Sequence, residues 1–198
     1  MELDVDESND NTPLSEEERA GLRIQAIINH HQLNEHEQSN IEDAIQWLIN
    51  KSFSADKILS EKFIKELHKR MFGSVWKWAG HFRTSEKNIG VERHKIPVHL
   101  RQLLGDVLFW IKDQTFTPDE IAIRFKHQLV SIHCFPNGNG RHSRLIADII
   151  IEKLFAQPVF TWGAMDLTYP GGARITYIQA LKAADNGNYS LLLAFARS

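Results

Sequence analysis

The sequence predicts an all-α fold with one hairpin or long loop between its helices. Apolar residues recur at helical spacing from about Ser15, with further runs near residues 34–52, 56–73, 98–114, 118–133, 140–155, 172–185 and 188–196. The stretch 84–97 interrupts this pattern and is predicted to form the hairpin or loop. With 198 residues and 42% hydrophobic content, the chain can bury one substantial core, and neither its length nor its composition requires a second.

The N-terminal part is predicted to contain an arm followed by helices. Residues 1–14 open with an acidic stretch, Glu2 to Asp10, which has few apolar groups, and this composition favours a flexible arm. Residues 15–54 are expected to form helices that pack on the core. Residues 55–198 are expected to form the main domain.

Charge and composition narrow the class of protein. The formal net charge is −2 with dispersed lysines and arginines, so a nucleic-acid groove is not expected. No apolar run approaches the roughly 18 to 20 residues that span a bilayer, and no signal peptide opens the sequence. Cys134 is the only cysteine, so an internal disulfide is impossible. A cytoplasmic protein without membrane contact is expected.

A strong N-terminal helix signal precedes the segment 133–144, which contains most of the candidate functional residues. Thr117 is suited to the N-cap, Pro118 to the first helical position, and Glu120 to a capping box with Thr117. The apolar face of this helix ends near His133. An imidazole there can act as a general base near neutral pH, although a histidine at a helix end is more often a structural hydrogen-bonding group.

The segment 133–144 predicts a glycine turn that leads into a helix. Two glycines around one residue allow backbone amides to converge on an anion, and the helix that follows offers its unpaired N–H groups. Two arginines in its first turns add bidentate donors for phosphate. An ordinary helix–loop–helix corner with surface arginines is the alternative. The predicted nucleotide or phosphate cradle consists of Gly138, Asn139, Gly140, Arg141 and Arg144.

This segment resembles the signature of the Fic (Fic/Doc) family, His-x-Phe-x-(Asp/Glu)-Gly-Asn-Gly-Arg-x-x-Arg. The residues that fit are His133, Phe135, Gly138, Asn139, Gly140, Arg141 and Arg144. The segments 67–83 and 183–189 are also similar to parts of the family, so the likeness spans roughly residues 55–198. The opening residues 12–14, the stretch 33–41 and the Pro-Asn-Gly-Asn-Gly variant resemble the subgroup called mobile mystery protein B. The resemblance implies a Fic-type helical bundle with a small β-hairpin flap.

The resemblance also implies an activity, which is AMP transfer from ATP to a Ser, Thr or Tyr hydroxyl of a target protein. His133 would be the general base, residues 138–140 would form the anion hole, and Arg141 and Arg144 would hold the phosphates. Phe135 would anchor the loop in the core. A toxin–antitoxin-like role with a helix-turn-helix partner protein fits the subgroup.

The stretch 84–97 occupies the place of the family's flap, which is similar to a clamp that adds a strand to the target backbone. Asn88, Ile89, Gly90 and Val91 are the expected docking residues. An ordinary solvated turn is the alternative. The flap would set the target hydroxyl against His133.

Asn137 departs from the family pattern, which has Asp or Glu at this position to bind magnesium. A neutral amide oxygen is a weaker ligand for this hard cation. Three interpretations stay open: magnesium held mainly by phosphates and water, a different nucleotide-like substrate, or a binding module without transferase activity. A related phosphotransferase or another nucleotidyltransferase is a further alternative, because the cradle does not specify which phosphorus is attacked.

The family often carries an inhibitory helix with the pattern Ser/Thr-x-x-x-Glu-Gly/Asn, whose glutamate pairs with the second motif arginine. Residues 12–16 have the first spacing, but Pro13 argues against a helix and Glu17 follows in place of Gly or Asn. Glu35 and Glu37 lie on a predicted helix but lack the preceding Ser or Thr. The sequence therefore does not establish internal inhibition, and Glu37 is the best internal candidate.

Overall fold

The structure is a computed structural model that describes residues 14–164 and 172–198, and in these ranges every regular element is helical. The α-helices in chain order are α1 Glu16–Gly21, α2 His30–Leu48, α3 Ala55–Ile58, α4 Glu61–Phe72, α5 Ile96–Asp113, α6 Pro118–Ile132, α7 Asn139–Phe155, α8 Gly172–Asp185 and α9 Ser190–Arg197. Two short 3₁₀ turns, Arg93–Lys95 and Trp162–Ala164, precede α5 and follow α7. The predicted all-α class is confirmed.

Side-chain caps explain where several helices begin. The side chains of Ser15, Asn29, Ser54 and Ser60 accept hydrogen bonds from the first turns of α1 to α4. Thr117 and Glu120 form the predicted capping box at the start of α6. The predicted run 56–73 is two helices, because Ser60 caps a new helix inside it.

The core lies where α6 and α7 pack against each other and against α5 and α4. Its largest fully buried aromatic side chains are Phe63, Phe72, Phe125 and Phe135. On one side α2 packs on α4, and on the other α8 packs on α9. On the α4 side, the His68 ring stacks on Phe135 in the loop between α6 and α7.

The predicted β-hairpin flap is wrong for this structure, since residues 81–92 contain no strand. The cause is Arg83, whose buried guanidinium donates to the carbonyls of Ser85 and Val91. These carbonyls are thus satisfied by one side chain and need no partner strand. The segment is an irregular loop, here called the 84–92 loop.

The predicted arm falls almost wholly on residues 1–13, which lie outside the described residues. Leu14, at its end, is buried rather than exposed, and its N–H lies 3.5 Å from the carbonyl oxygen of Ile28. The helical packing therefore begins one residue earlier than the predicted boundary. Over the described ranges, none of the helices has both the length and the apolar character that crossing a bilayer would require.

Candidate functional site

His133 lies at the C-terminal end of α6, where the helix changes direction. Its backbone is left-handed, with φ 56° and ψ 61°, and its N–H bonds the Leu129 carbonyl at 3.4 Å. Burial, and then the positive charges of Arg83 and Lys87, lower the pKa of its imidazole to about 4. The ring is therefore neutral at pH 7, which is the form that can accept a proton.

Arg83 ties the backbone of His133 to the 84–92 loop. Its side chain is 1% exposed, and its Nε donates to the His133 carbonyl at 2.8 Å while Nη1 donates to the Ser85 carbonyl at 3.0 Å. Val91 adds a second link, because its N–H bonds the Ile132 carbonyl at 3.3 Å. One buried cation thus fixes the loop and the end of α6 relative to each other.

Gly90 of the predicted flap packs directly against the predicted base His133. It has φ +95°, and a Cβ at this position would lie 2.6 Å from the Cβ of His133 and 3.1 Å from the Ile132 carbonyl oxygen. Only glycine fits there. Of the other predicted docking residues, Asn88 is exposed and Ile89 and Val91 are half-buried. The structure therefore brings this loop and His133 together.

Residues 133–138, which connect α6 to α7 and are here called the motif loop, are shaped by side-chain bonds to the local backbone. The Oδ1 of Asn139 accepts from the Phe135 N–H at 2.9 Å, and its Nδ2 donates to the Phe135 carbonyl at 2.8 Å. Both polar atoms of the Asn139 side chain are thus engaged inside the loop. Phe135 itself is fully buried.

Two glycines begin α7 under different constraints. Gly138 is the N-cap with φ 77°, and a Cβ there would lie 2.6 Å from the Phe72 ring. Gly140 has no atom within 4 Å of an added Cβ, so the space beside it is open. No side chain caps α7, so the N–H groups of its first turn have no capping partner, and such groups are suited to bind an anion.

The two arginines of the predicted cradle have different surroundings. Arg141 Nη2 lies 2.6 Å from Glu37 Oε2, and its guanidinium carbon lies 5.0 Å from the centre of the Phe72 ring. Arg144 lies one turn further, with its guanidinium carbon 5.6 Å from the centre of the Tyr177 ring. The second arginine is therefore not the partner of Glu37.

Asp148 follows Arg144 by one turn of α7 and is mostly buried. It accepts hydrogen bonds from the Phe160 N–H at 3.2 Å and from Trp162 Nε1 at 3.1 Å. Burial raises the pKa of its carboxyl, and these two donors lower it in part, so that the resulting pKa is about 7. Through these hydrogen bonds, Asp148 holds Phe160 and Trp162, which follow α7, against the helix that contains Arg141 and Arg144.

At the predicted magnesium position the chain presents the amide of Asn137 and no carboxylate. Asn137 is exposed, and its Oδ1 accepts from the Gly138 N–H at 2.7 Å. Across the ranges that the structure describes, no group of three or more His, Cys, Asp or Glu side chains could hold a metal ion. Magnesium prefers carboxylates, and none is supplied here.

Several residues at the site were not predicted from the sequence. Arg83, Trp76 and Tyr177 contact the predicted residues from positions far away in the chain, so no local spacing indicates them. A partial sequence signal exists for Arg83, which directly precedes a long polar stretch. In the structure Arg83 is 3% exposed. A buried arginine beside a loop is a common means of satisfying loop carbonyls.

Comparison with protein families agrees with this geometry. The family model described as Fic/DOC family matches residues 58–151, from the end of α3 to most of α7. This range includes the 84–92 loop, His133 and the first turns of α7.

Curated proteins with similar sequences carry one activity in their names. Protein adenylyltransferase fic-1 of Caenorhabditis elegans is 28% identical over 176 residues, which are 86% of this chain and 33% of that protein. Protein adenylyltransferase Fic of Drosophila melanogaster is 27% identical over 189 residues, or 93% of this chain and 37% of that protein. The chain thus spans about a third of the length of these relatives.

Solved structures share the helical arrangement. The N-terminal FIC domain of Bep8, an effector protein from Bartonella sp. 1-1C, has a TM-score of 0.68 at 17% identity and covers 90% of both chains. BepC from Bartonella tribocorum, solved with bound AMPPNP, has a TM-score of 0.66 at 17% identity, covering 94% of this chain and 91% of that one. The fold therefore defines a helical domain of the Fic type. The part of the chain that matches the Fic/DOC family model, residues 58–151, carries this site.

Proposed function

We propose that this chain is a protein adenylyltransferase that moves AMP from ATP to a hydroxyl side chain of a target protein. The observation that carries the proposal is the approach of Gly90 to His133, which puts the 84–92 loop directly beside a neutral imidazole. The names of the curated relatives support the same reaction. The open space beside Gly140, at an uncapped helix start, supports an anion cradle next to it.

The proposed reaction uses His133 as general base. Its imidazole takes the proton of a Ser, Thr or Tyr hydroxyl, and the hydroxyl oxygen attacks the α-phosphorus of ATP. The bond between the α-phosphorus and the bridging oxygen breaks, and pyrophosphate leaves with that oxygen. Transfer of this kind asks the protein mainly for positioning and charge neutralisation.

The cradle supplies that positioning. Main-chain N–H groups of Gly138, Asn139 and Gly140, with the guanidiniums of Arg141 and Arg144, hold the phosphates. Bound phosphates also raise the pKa of the nearby imidazole, because a negative charge favours its protonated form. Nucleotide binding would thus make His133 a stronger base than it is in the free protein.

Glu37 is proposed to restrain this site. Its carboxylate is 2% exposed and lies against Arg141, so one of the two phosphate-binding guanidiniums is already neutralised. A phosphate must displace this carboxylate or share the arginine with it. The restraint acts on the first motif arginine, whereas the resemblance alone implied the second.

Labelled ATP tests the reaction. The full chain and its Glu37→Gly variant are incubated with ATP labelled at the α- or the γ-phosphate, in magnesium or manganese, beside His133→Ala in each background. Label transferred to protein from the α position, and lost in His133→Ala, is the expected result. Label from γ alone would show a phosphotransferase instead.

A binding module without catalysis is the second candidate, and the missing carboxylate at Asn137 favours it. Nucleotide binding without any protein labelling would establish this candidate and overturn the transferase. Absence of both binding and labelling would overturn the nucleotide site itself.

The biological setting is proposed from the resemblance to mobile mystery protein B. The chain would act in the cytoplasm, in a toxin–antitoxin-like pair with a helix-turn-helix protein. Purification of the two proteins after co-expression, with and without the Glu37→Gly change, tests whether they associate. Separate elution of both proteins at micromolar concentration would contradict a stable pair.

A further inference from the structure

His68 connects two segments that meet at the motif loop. It lies on α4 with no exposed surface, and its ring stacks on Phe135 with 3.7 Å between centroids and 18° between planes. The Gly80 N–H donates to its Nδ1 at 3.1 Å, and its Nε2 lies 3.1 Å from the Asn137 carbonyl oxygen. Both ring nitrogens are therefore engaged.

These partners define one neutral tautomer. The Gly80 N–H can only donate, so Nδ1 must be the acceptor and the proton must sit on Nε2, from which it is donated to the Asn137 carbonyl. A doubly protonated ring would lose the bond from Gly80. Burial, and then the neighbouring His142, hold the pKa of His68 well below its usual value, with Arg141 acting in the same direction.

The bond to the Asn137 carbonyl has a consequence at Gly138. The carbonyl of Asn137 and the N–H of Gly138 belong to one planar peptide group, and in a trans peptide they point in opposite directions. The structure has no cis peptide among its described residues. Directing this carbonyl to the buried ring therefore turns the Gly138 N–H away from the core.

The other anchor of His68 is rigid. Gly80 has φ +81°, and an added Cβ would lie 2.8 Å from the Lys69 Cβ and 3.0 Å from the Lys65 carbonyl oxygen. Its turn is thus packed closely on α4. A displacement of the motif loop would have to break a bond to this fixed turn or move the stacked ring.

We propose that His68 is a positioning residue that aims the Gly138 N–H into the anion cradle, where it would bind a phosphate group of the nucleotide. The inference rests on the proposed function for its catalytic consequence. Its structural content, the direction of one peptide group, is measurable without turnover. In the free protein the Oδ1 of Asn137 occupies this N–H and would give way to a phosphate oxygen.

Three variants of the full chain separate hydrogen bonding from packing. His68→Phe keeps a stacked ring and removes both hydrogen bonds, and His68→Gln supplies an amide donor that can reach the Asn137 carbonyl. His127→Phe is the control, because His127 is also buried but bonds Asp185, away from the loop. Each is made in the wild-type and Glu37→Gly backgrounds.

Binding of inorganic pyrophosphate, amide hydrogen exchange at Gly138 and thermal unfolding are measured for each variant. His68→Phe is expected to weaken pyrophosphate binding about tenfold and to speed exchange at Gly138, because a main-chain donor to an anion contributes about this much. His68→Gln should recover most of the binding. His127→Phe should change only the unfolding temperature.

Unchanged pyrophosphate binding and unchanged Gly138 exchange in His68→Phe would overturn the inference, as would an equal loss of binding in His127→Phe. Failure of the proposed transferase activity can be distinguished from failure of the His68 inference. A chain that binds pyrophosphate but transfers no AMP would still show the effect of His68 on pyrophosphate binding. A folded chain that binds no pyrophosphate in either background has no cradle, and both proposals then fail.

Discussion

Glu37 and Arg141 form an ion pair between residues 104 positions apart in the sequence, with 2.6 Å between Oε2 and Nη2. The other carboxylate oxygen accepts from Trp76 Nε1, so both oxygens of Glu37 have partners. The carboxylate lies on α2, outside the range that matches the family model. A residue of the N-terminal helices thus reaches the first arginine of the cradle.

Replacing Glu37 tests its effect on nucleotide binding. In Glu37→Gly the guanidinium of Arg141 is released, and the affinity for ATP should rise about tenfold, or about 1.4 kcal/mol. Glu35→Gly is the matched control, since Glu35 lies on the same helix, is exposed and forms an i,i+4 ion pair with His31 rather than a contact with the cradle. Calorimetric titration with ATP measures both. Equal affinities in the two variants would refute the restraint.

Alanine at the two glycines of the cradle should have opposite effects on stability. Gly138→Ala forces a left-handed alanine and a clash with Phe72, so we expect a loss of about 2 kcal/mol or more. Gly140→Ala meets no atom and should be neutral or stabilising by up to about 1 kcal/mol. If an anion occupies the open space, Gly140→Ala should still weaken pyrophosphate binding. Unaltered binding in this variant would place the anion elsewhere.

The imidazole of His133 should titrate well below the usual range of histidine. Its pKa is about 4 in the free protein, and Lys87→Met should raise it by removing a positive charge. Lys112→Met, at another exposed lysine, is the control. Titration followed by NMR of the ring carbons gives the midpoints, and added ATP should raise the His133 midpoint further. A midpoint near 6.5 in the free protein would contradict the buried placement.

A carboxylate at position 137 should make nucleotide binding depend on magnesium. Asn137→Asp restores a ligand that the cation prefers, while its oxygen can still accept from the Gly138 N–H. The expected result is ATP affinity several-fold higher in magnesium than in a chelator, with little difference for the wild type. If the variant binds ATP equally well in both conditions, position 137 does not limit metal binding.

Buried histidines should make the protein less stable in acid. The pKa values of His142 and His133 are lowered to about 3 and about 4, so between pH 6.5 and 4 the unfolded chain binds more protons than the folded one. The stabilisation of the folded state by these two neutral rings is complete above about pH 6.5 and is lost as the pH falls. Asp148 has the opposite effect on the free energy of unfolding. Because its pKa is raised to about 7, its protonated carboxyl stabilises the folded state at low pH, and this stabilisation is lost as the pH rises to about 7.

Chemical denaturation from pH 4 to pH 8 measures this balance. The free energy of unfolding should rise from pH 4 to about pH 6.5 by several kcal/mol, since each pKa unit corresponds to about 1.4 kcal/mol. Asp148→Asn should make the rise steeper, because it removes the opposing group. A flat profile between pH 5 and pH 7 would show that these rings are solvated.

The parts of the fold that were predictable are those encoded by local spacing. The start of α6 follows from Thr117 and Glu120, and its end near His133 follows from the last apolar residue of its face. The turn into α7 follows from two glycines, and Gly138 does take the left-handed conformation. These signals lie within a few residues of the structure that they determine.

Contacts between distant segments were not predictable in the same way. The hairpin was wrong because a single buried arginine, Arg83, satisfies the loop carbonyls, and the sequence gives no measure of which side chain will be buried there. The pairing of Glu37 with Arg141 depends on how α2 packs on α4, which periodicity alone does not specify. The position of His68 between Gly80 and Asn137 depends on the same packing.

Cys134 has a practical consequence for following the 84–92 loop. It is 1% exposed, and burial raises the pKa of its thiol to about 12, so it stays protonated and shielded from alkylating reagents. It is also the only cysteine in the chain. A cysteine introduced at the exposed Asn88 would therefore react first with a maleimide dye, and fluorescence from that site would report loop motion without removal of the native thiol.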